Sequence, residues 1–139
     1  MKSEKDRMPR ALVIDDDDIA RELLVSILRE GGYEAFELSS PIGATRTISR
    51  EQIDIVVLDV MMPGLSGDKL AKMLRANPRL ARLGIILVSS CGLDQLHDLA
   101  ESVRADAVVA KSEVHEKLLK VVAQVRISSA RESPGGRAS

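Results

Sequence analysis

Residues 54–67 read DIVVLDVMMPGLSG. Ile55 to Leu58 are continuously apolar, and the run stops at a carboxylate, Asp59. Such a stretch suits a strand buried on both faces, as in a parallel sheet, and its length is that of a strand. An acid placed after four core residues is costly without a purpose, so Asp59 is a functional candidate. The MMPGLSG that follows (61–67) is broken by Pro63, Gly64 and Gly67 and reads as a loop.

Outward from this segment the chain alternates between two periods. Upstream, ALVID (11–15) is a short apolar run that ends in Asp15-Asp16-Asp17-Asp18. From Ile19 to Arg29 the apolar residues Ile19, Leu23 and Ile27, with Leu24 and Leu28, form an amphipathic helical stripe. Asp17 and Asp18 suit its N-terminus, and Gly31-Gly32 ends it. YEAFEL (33–38) alternates as a strand does, and Ser40-Pro41 predicts a helix over 41–51 with proline at its first position. Downstream, Leu70, Met73 and Leu74 mark a helix stopped by Asn77-Pro78. GIILVSS (84–90) and ADAVVAK (105–111) read as two more strands. Leu96, Leu99, Ala100 and Val103 form a helical stripe between them, and Val114, Leu118, Val121, Val122 and Val125 form the last. Five strands alternating with five helices predict an α/β domain with a doubly wound parallel sheet. Right-handed crossovers restrict the topology, but the pattern leaves the strand order open. Residues 1–8 and the polar tail 128–139 are expected to be disordered.

Composition narrows the function. The chain has 139 residues, one domain's length, with 20 Lys+Arg against 21 Asp+Glu. This balance argues against a protein that holds nucleic acid or an anionic membrane through bulk charge. Tyr33 and Phe36 are too few aromatics for a base-stacking surface. The single cysteine, Cys91, excludes an internal disulfide and a cysteine-based zinc site. No apolar run is long enough to cross a membrane, and the polar N-terminus lacks a secretory signal, so a soluble, cytoplasmic protein is expected.

Four strands end in groups that a core would not select: Asp15–Asp18, Asp59, Ser89-Ser90 and Lys111. In an open α/β sheet the carboxyl ends of the strands face one crevice, where ligands bind. Carboxylates gathered there repel one another, and a hard divalent cation relieves the repulsion. Magnesium takes one or two carboxylates, waters and a substrate phosphate; calcium is disfavoured by the absence of an EF-hand loop pattern. A carboxylate beside such an ion can attack a phosphoryl group to give an aspartyl phosphate. Lys111 and Ser89 supply the cation and hydroxyl that the developing charge requires.

LVIDDDD, VVLDVMMPGLSG, ILVSS and VVAK, in this order and spacing, resemble the receiver domain of bacterial two-component response regulators over about residues 9–127. The D-x-M-M-P-x-x-x-G segment at 59–67 is the most specific of these motifs. The resemblance implies a flavodoxin-like sheet of order 2-1-3-4-5. Asp59 would be the phosphoacceptor, charged from a phosphohistidine on a sensor histidine kinase or histidine phosphotransfer protein. Asp16 would bind Mg2+ directly, Asp15 mainly through water, and Met61 through its main-chain carbonyl. Ser89 would be the switch hydroxyl and Lys111 the lysine that pairs with the phosphoryl group. A self-phosphorylating and self-dephosphorylating phosphoacceptor of this kind has no separate turnover activity. With only a polar tail after the last helix, the chain looks like a stand-alone receiver that docks onto a downstream protein, with no nucleic acid or membrane as partner. The implied docking face, the fourth helix with the fifth strand and helix, carries Asp94, His97, Asp98, Glu101, Glu113, Glu116 and Lys117.

The chain departs from the receiver pattern at two places. Val108 stands where receivers carry a switching aromatic, and Ser112 where they carry proline after the lysine. A valine has no comparable swing, so the rival reading is a degenerate receiver acting as a phosphorylation-independent adaptor. Met61 and Cys91, two residues past Asp59 and Ser89, flank the implied path of the hydrolytic water and predict a long-lived phosphoryl group. Met61 also stands where a haloacid-dehalogenase-type phosphatase needs an aspartate. Four aspartates after the first strand would repel a nucleotide phosphate. His97 and His115 read as surface residues.

Overall fold

The protein, a computed structural model, is described over residues 7–62, 64, 66–90 and 93–131. Expectations placed on residues 1–6, Pro63, Cys91 and 132–139 lie outside them. The elements run β1 (Arg10–Ile14), α1 (Asp18–Glu30), β2 (Glu34–Leu38), α2 (Ala44–Arg50) and β3 (Ile55–Asp59). They continue with α3 (Gly67–Arg75), β4 (Gly84–Ser89), α4 (Leu93–Val103), β5 (Ala107–Ala110) and α5 (Val114–Arg131). Single 3-10 turns lie at Pro78–Leu80 and Lys111–Glu113.

All strand pairs are parallel, and the sheet order is β2-β1-β3-β4-β5. The strand runs are apolar because both faces of the sheet are covered. Leu12, Ile14, Val56, Leu58, Ile85 and Leu87 join residues of α2, α3 and α4 in one core layer. Their neighbours Ala11, Val13, Ile55, Val57, Ile86 and Val88 join residues of α1 and α5 in the other. The period-2 alternation of a strand thus sorts one apolar run into two cores. The order reverses at β1, whose two neighbours are β2 and β3. The crevice beyond that point is the expected place for a ligand.

Two helix boundaries differ most from the sequence reading. α2 starts at Ala44, not 41, because Gly43 has φ +83°, which a right-handed helix cannot include. Ser40 Oγ accepts the Ile42 N–H at 3.2 Å, and Pro41 C=O accepts from Ala44 N at 3.1 Å. Ser40-Pro41 therefore builds a turn ahead of the helix. α5 runs to Arg131, so residues 128–131 belong to it rather than to a tail; Ala130 and Arg131 are good helix formers that let it propagate. At the other end, Arg7 reaches Gln52 C=O at 3.3 Å and Asp54 Oδ1 at 3.5 Å.

Candidate functional site

The strand ends bring the remote residues together. Asp59 is the last residue of β3 and pairs in register with Val88, so Ser89 lies one position beyond on the adjacent strand. Ser89 pairs with Ala110, after which comes Lys111. Asp15 follows Ile14, the last residue of β1 on the other side of β3. Asp15, Asp59 and Ser89 are all buried, at 0%, 2% and 0% exposure, whereas Asp16 is exposed. One carboxylate oxygen from each of Asp15, Asp16 and Asp59 lies within 4.8 Å of the others.

One ammonium faces this cluster. Lys111 Nζ is 3.2 Å from Asp15 Oδ2 and 3.5 Å from Asp59 Oδ1. The backbone supplies further donors: Met61 N–H to Asp59 Oδ1 at 3.2 Å and Asp17 N–H to Asp15 Oδ1 at 2.9 Å. Asp15 Oδ2 is fully buried, and the Lys111 ammonium at 3.2 Å is its charged partner.

Burial pushes the Asp59 carboxyl up to about 6. The Met61 N–H opposes the rise, the Asp15 charge adds to it, and Lys111 opposes it. Burial also disfavours the Lys111 ammonium, but Asp59 and Asp15 together outweigh this and hold it above the ordinary lysine value. The site is therefore short of positive charge. Three hard oxygen donors that can meet within 4.8 Å fit a small divalent cation such as Mg2+. A thiol- or imidazole-seeking metal has no such fit here.

The site depends on a close approach of helix to strand. A Cβ on Gly67, at the start of α3, would lie 2.2 Å from the Asp59 carbonyl oxygen. Only glycine lets α3 begin against the back of Asp59, and its N–H donates to Val60 C=O at 3.1 Å.

The run of four aspartates divides its tasks. Asp17 is the N-cap of α1, its side chain accepting from Ile19 N. Asp18, in the first turn, pairs with Arg21. Arg21 escaped the sequence reading, although its spacing of three from Asp18 on a helix was a usable signal. Met61 has an exposed side chain, at 59%. Val108 is half-buried and packs on the α2–α4 core layer. Ser112 continues the 3-10 turn after Lys111. His97 and His115 are exposed, as expected, and so are Asp98, Glu101, Glu116 and Lys117. Glu113 is half-buried and pairs with Lys117 at 3.0 Å, while the Asp94 side chain lies outside the described ones. Among the described residues no helix is long and apolar enough to cross a membrane.

Comparison with known proteins bears on the whole of this architecture. The sequence profile of the response regulator receiver domain matches residues 11–123. The phosphate regulon transcriptional regulatory protein PhoB of Pseudomonas aeruginosa is 29% identical over 124 residues, 89% of this chain and 53% of that protein. The gliding motility regulatory protein of Myxococcus xanthus is 29% identical over 110 residues, 79% of this chain and 14% of that protein. The chain thus spans about half or less of these relatives. A CheY-like receiver domain structure from Methanospirillum hungatei superimposes with a TM-score of 0.81 at 20% identity, covering 91% of this chain and all of that one.

Proposed function

Because the chain belongs to the family of response regulator receiver domains, we propose that Asp59 accepts a phosphoryl group from a phosphohistidine. The donor is a sensor histidine kinase or a histidine phosphotransfer protein, and the result is altered docking to a downstream protein. The observation that carries this reading is the gathering of Asp15, Asp16 and Asp59 at the strand ends, with the Lys111 ammonium on Asp15 and Asp59. Mg2+ would be held by Asp16, Asp59 and the Met61 main-chain carbonyl, with Asp15 acting through water.

The residues divide the chemistry as follows. An Asp59 carboxylate oxygen attacks the phosphorus, an O–P bond forms, and the N–P bond breaks. The electron pair leaves on the imidazole nitrogen, and the ring departs as neutral imidazole with its proton on the other nitrogen. A cation held there would supply positive charge to the phosphoryl oxygens and to the crowded carboxylates. Met61 N–H fixes the orientation of the Asp59 carboxylate. Lys111 Nζ, 3.5 Å from Asp59 Oδ1, stabilises charge on the transferred group. The Ser89 hydroxyl, at the adjacent strand end, donates to a phosphoryl oxygen. The reading carries with it a cytoplasmic location, and it gives the chain no turnover activity of its own.

The test is intact-mass measurement after incubation with Mg2+ and acetyl phosphate. Wild type is expected to gain one phosphoryl group, and Asp59→Asn none. Chelation of the metal is expected to abolish the gain. An unmodified wild type would favour the adaptor reading instead.

A further inference from the structure

Arg21 is half-buried, with its side chain 13% exposed, and it spends every nitrogen of its guanidinium. Nη1 donates to the main-chain oxygen of Asp15 at 2.8 Å. Nη2 donates to Asp18 Oδ1 at 2.6 Å, and Nε to Glu37 Oε1 at 2.9 Å. The three acceptors belong to the β1–α1 junction, the first turn of α1 and strand β2. One planar fork thus joins the loop that carries Asp15 and Asp16 to two regular elements. Only Arg presents donors in this fixed geometry.

We infer that Arg21 is a positioning residue for cation binding. It fixes the main chain at Asp15, so that Asp15 and Asp16 stay turned toward Asp59, and it draws Asp18 away from the cluster. Four adjacent carboxylates could otherwise compete for one ion. In the structure two of them join Asp59, one caps α1, and the fourth is held by Arg21. This inference rests on the magnesium reading of the site, and it assigns a role to a residue that would touch neither the ion nor the phosphoryl group.

Charge and position make opposite forecasts here. If Arg21 acted only through its charge, removing it would tighten binding of a divalent cation nearby. If it acts by holding the loop, removal weakens binding, as the loss of residues that orient metal ligands does. Arg21→Lys separates the two further, since it keeps the charge and loses the fork.

The experiment is calorimetric titration of the full chain with Mg2+ for wild type, Arg21→Gln and Arg21→Lys, with thermal unfolding in metal-free buffer alongside. Both variants are expected to bind Mg2+ about tenfold more weakly than wild type. Unchanged or tighter binding by Arg21→Gln, or wild-type affinity in Arg21→Lys, overturns the inference. So does a lower melting temperature with unchanged affinity, which would make Arg21 a purely structural clasp. Should Arg21→Gln fail to fold, Arg21→Lys decides. A wild type that binds no Mg2+ would instead remove the magnesium reading itself, and this inference with it.

Discussion

The two ends of the sheet treat charge in opposite ways. At the N-terminal edge of the strands every key acid is matched. Asp54 Oδ2 accepts the Arg10 N–H at 2.8 Å, and Asp54 Oδ1 faces Arg7. Asp106 Oδ2 accepts Ile85 N–H at 2.8 Å and pairs with Arg75. Arg75 also donates to the carbonyls of Leu83 at 2.7 Å and Arg104 at 2.8 Å, tying α3 to β4 and to the turn before β5. At the C-terminal edge the carboxylates of Asp15, Asp16 and Asp59 crowd within 4.8 Å of one another, and the Lys111 ammonium reaches two of them, Asp15 and Asp59. One edge is built for stability. The other retains unfavourable charge that only a ligand can offset, as functional sites do.

The largest effect is expected where the matched edge is cut. Asp106→Ala leaves the Ile85 N–H and the Arg75 guanidinium without their shared acceptor. A loss of about 3 kcal/mol is expected, the upper end of the cost of leaving a buried donor such as the Ile85 N–H unsatisfied, while Arg75 keeps the Leu83 and Arg104 carbonyls. Urea unfolding measures it, and a loss below about 1 kcal/mol would show that this edge is not the stabilising one.

At the unmatched edge the sign reverses. Asp59 ionises with difficulty, near pH 6 against an ordinary 3.8. Between these values the folded chain holds a proton that the unfolded chain has released, so stability falls as pH rises through this window. Asp59→Asn removes the penalty. In metal-free buffer at pH 7.5 it is expected to stabilise the protein by about 2 kcal/mol. At pH 4, where Asp59 is protonated in the folded state, the gain is expected to vanish. Mg2+ at a hundredfold excess over its Kd should stabilise wild type by about 2.7 kcal/mol, and should stabilise Asp59→Asn much less. Denaturant midpoints at the two pH values, with and without the metal, check all of this. A destabilised Asp59→Asn at pH 7.5 would contradict the charge argument.

The contrast between the edges also explains what the sequence could and could not say. The strands were legible because full burial demands unbroken apolar runs such as Ile55–Leu58. The site was legible because Asp59, Ser89 and Lys111 interrupt such runs at their ends. The strand order came only with the family resemblance, since periodicity does not record which strand neighbours which. The start of α2 was misplaced because Gly43 adopts a left-handed conformation that hydrophobic spacing does not encode. Arg75 and Asp106 were invisible as a pair, being 31 residues apart. The different burial of Asp15 and Asp16 follows from their place relative to the sheet, not from their chemistry. Asp15 is still bonded to the sheet, its N–H donating to Leu38 C=O at 3.2 Å, whereas Asp16 lies beyond that bond and is exposed.

The finest test of the comparison asks whether the matched edge works as separate clasps or as one network. Arg10 Nε meets Glu34 Oε1 at 3.0 Å, with side chains 29% and 46% exposed. Solvent screens such a pair, and exposed ion pairs contribute about 0.2–1 kcal/mol. Glu34→Gln also leaves Arg10 a partner, because Nη1 donates to Glu51 C=O at 2.8 Å. A loss of no more than about 0.5 kcal/mol is therefore expected, shrinking further in high salt. A loss above about 1 kcal/mol that persisted in salt would mean that Glu34, Arg10, Asp54 and Arg7 act cooperatively. The stability of this edge would then lie in the network spanning β1, β2 and β3, not in the arginine clasp on Asp106.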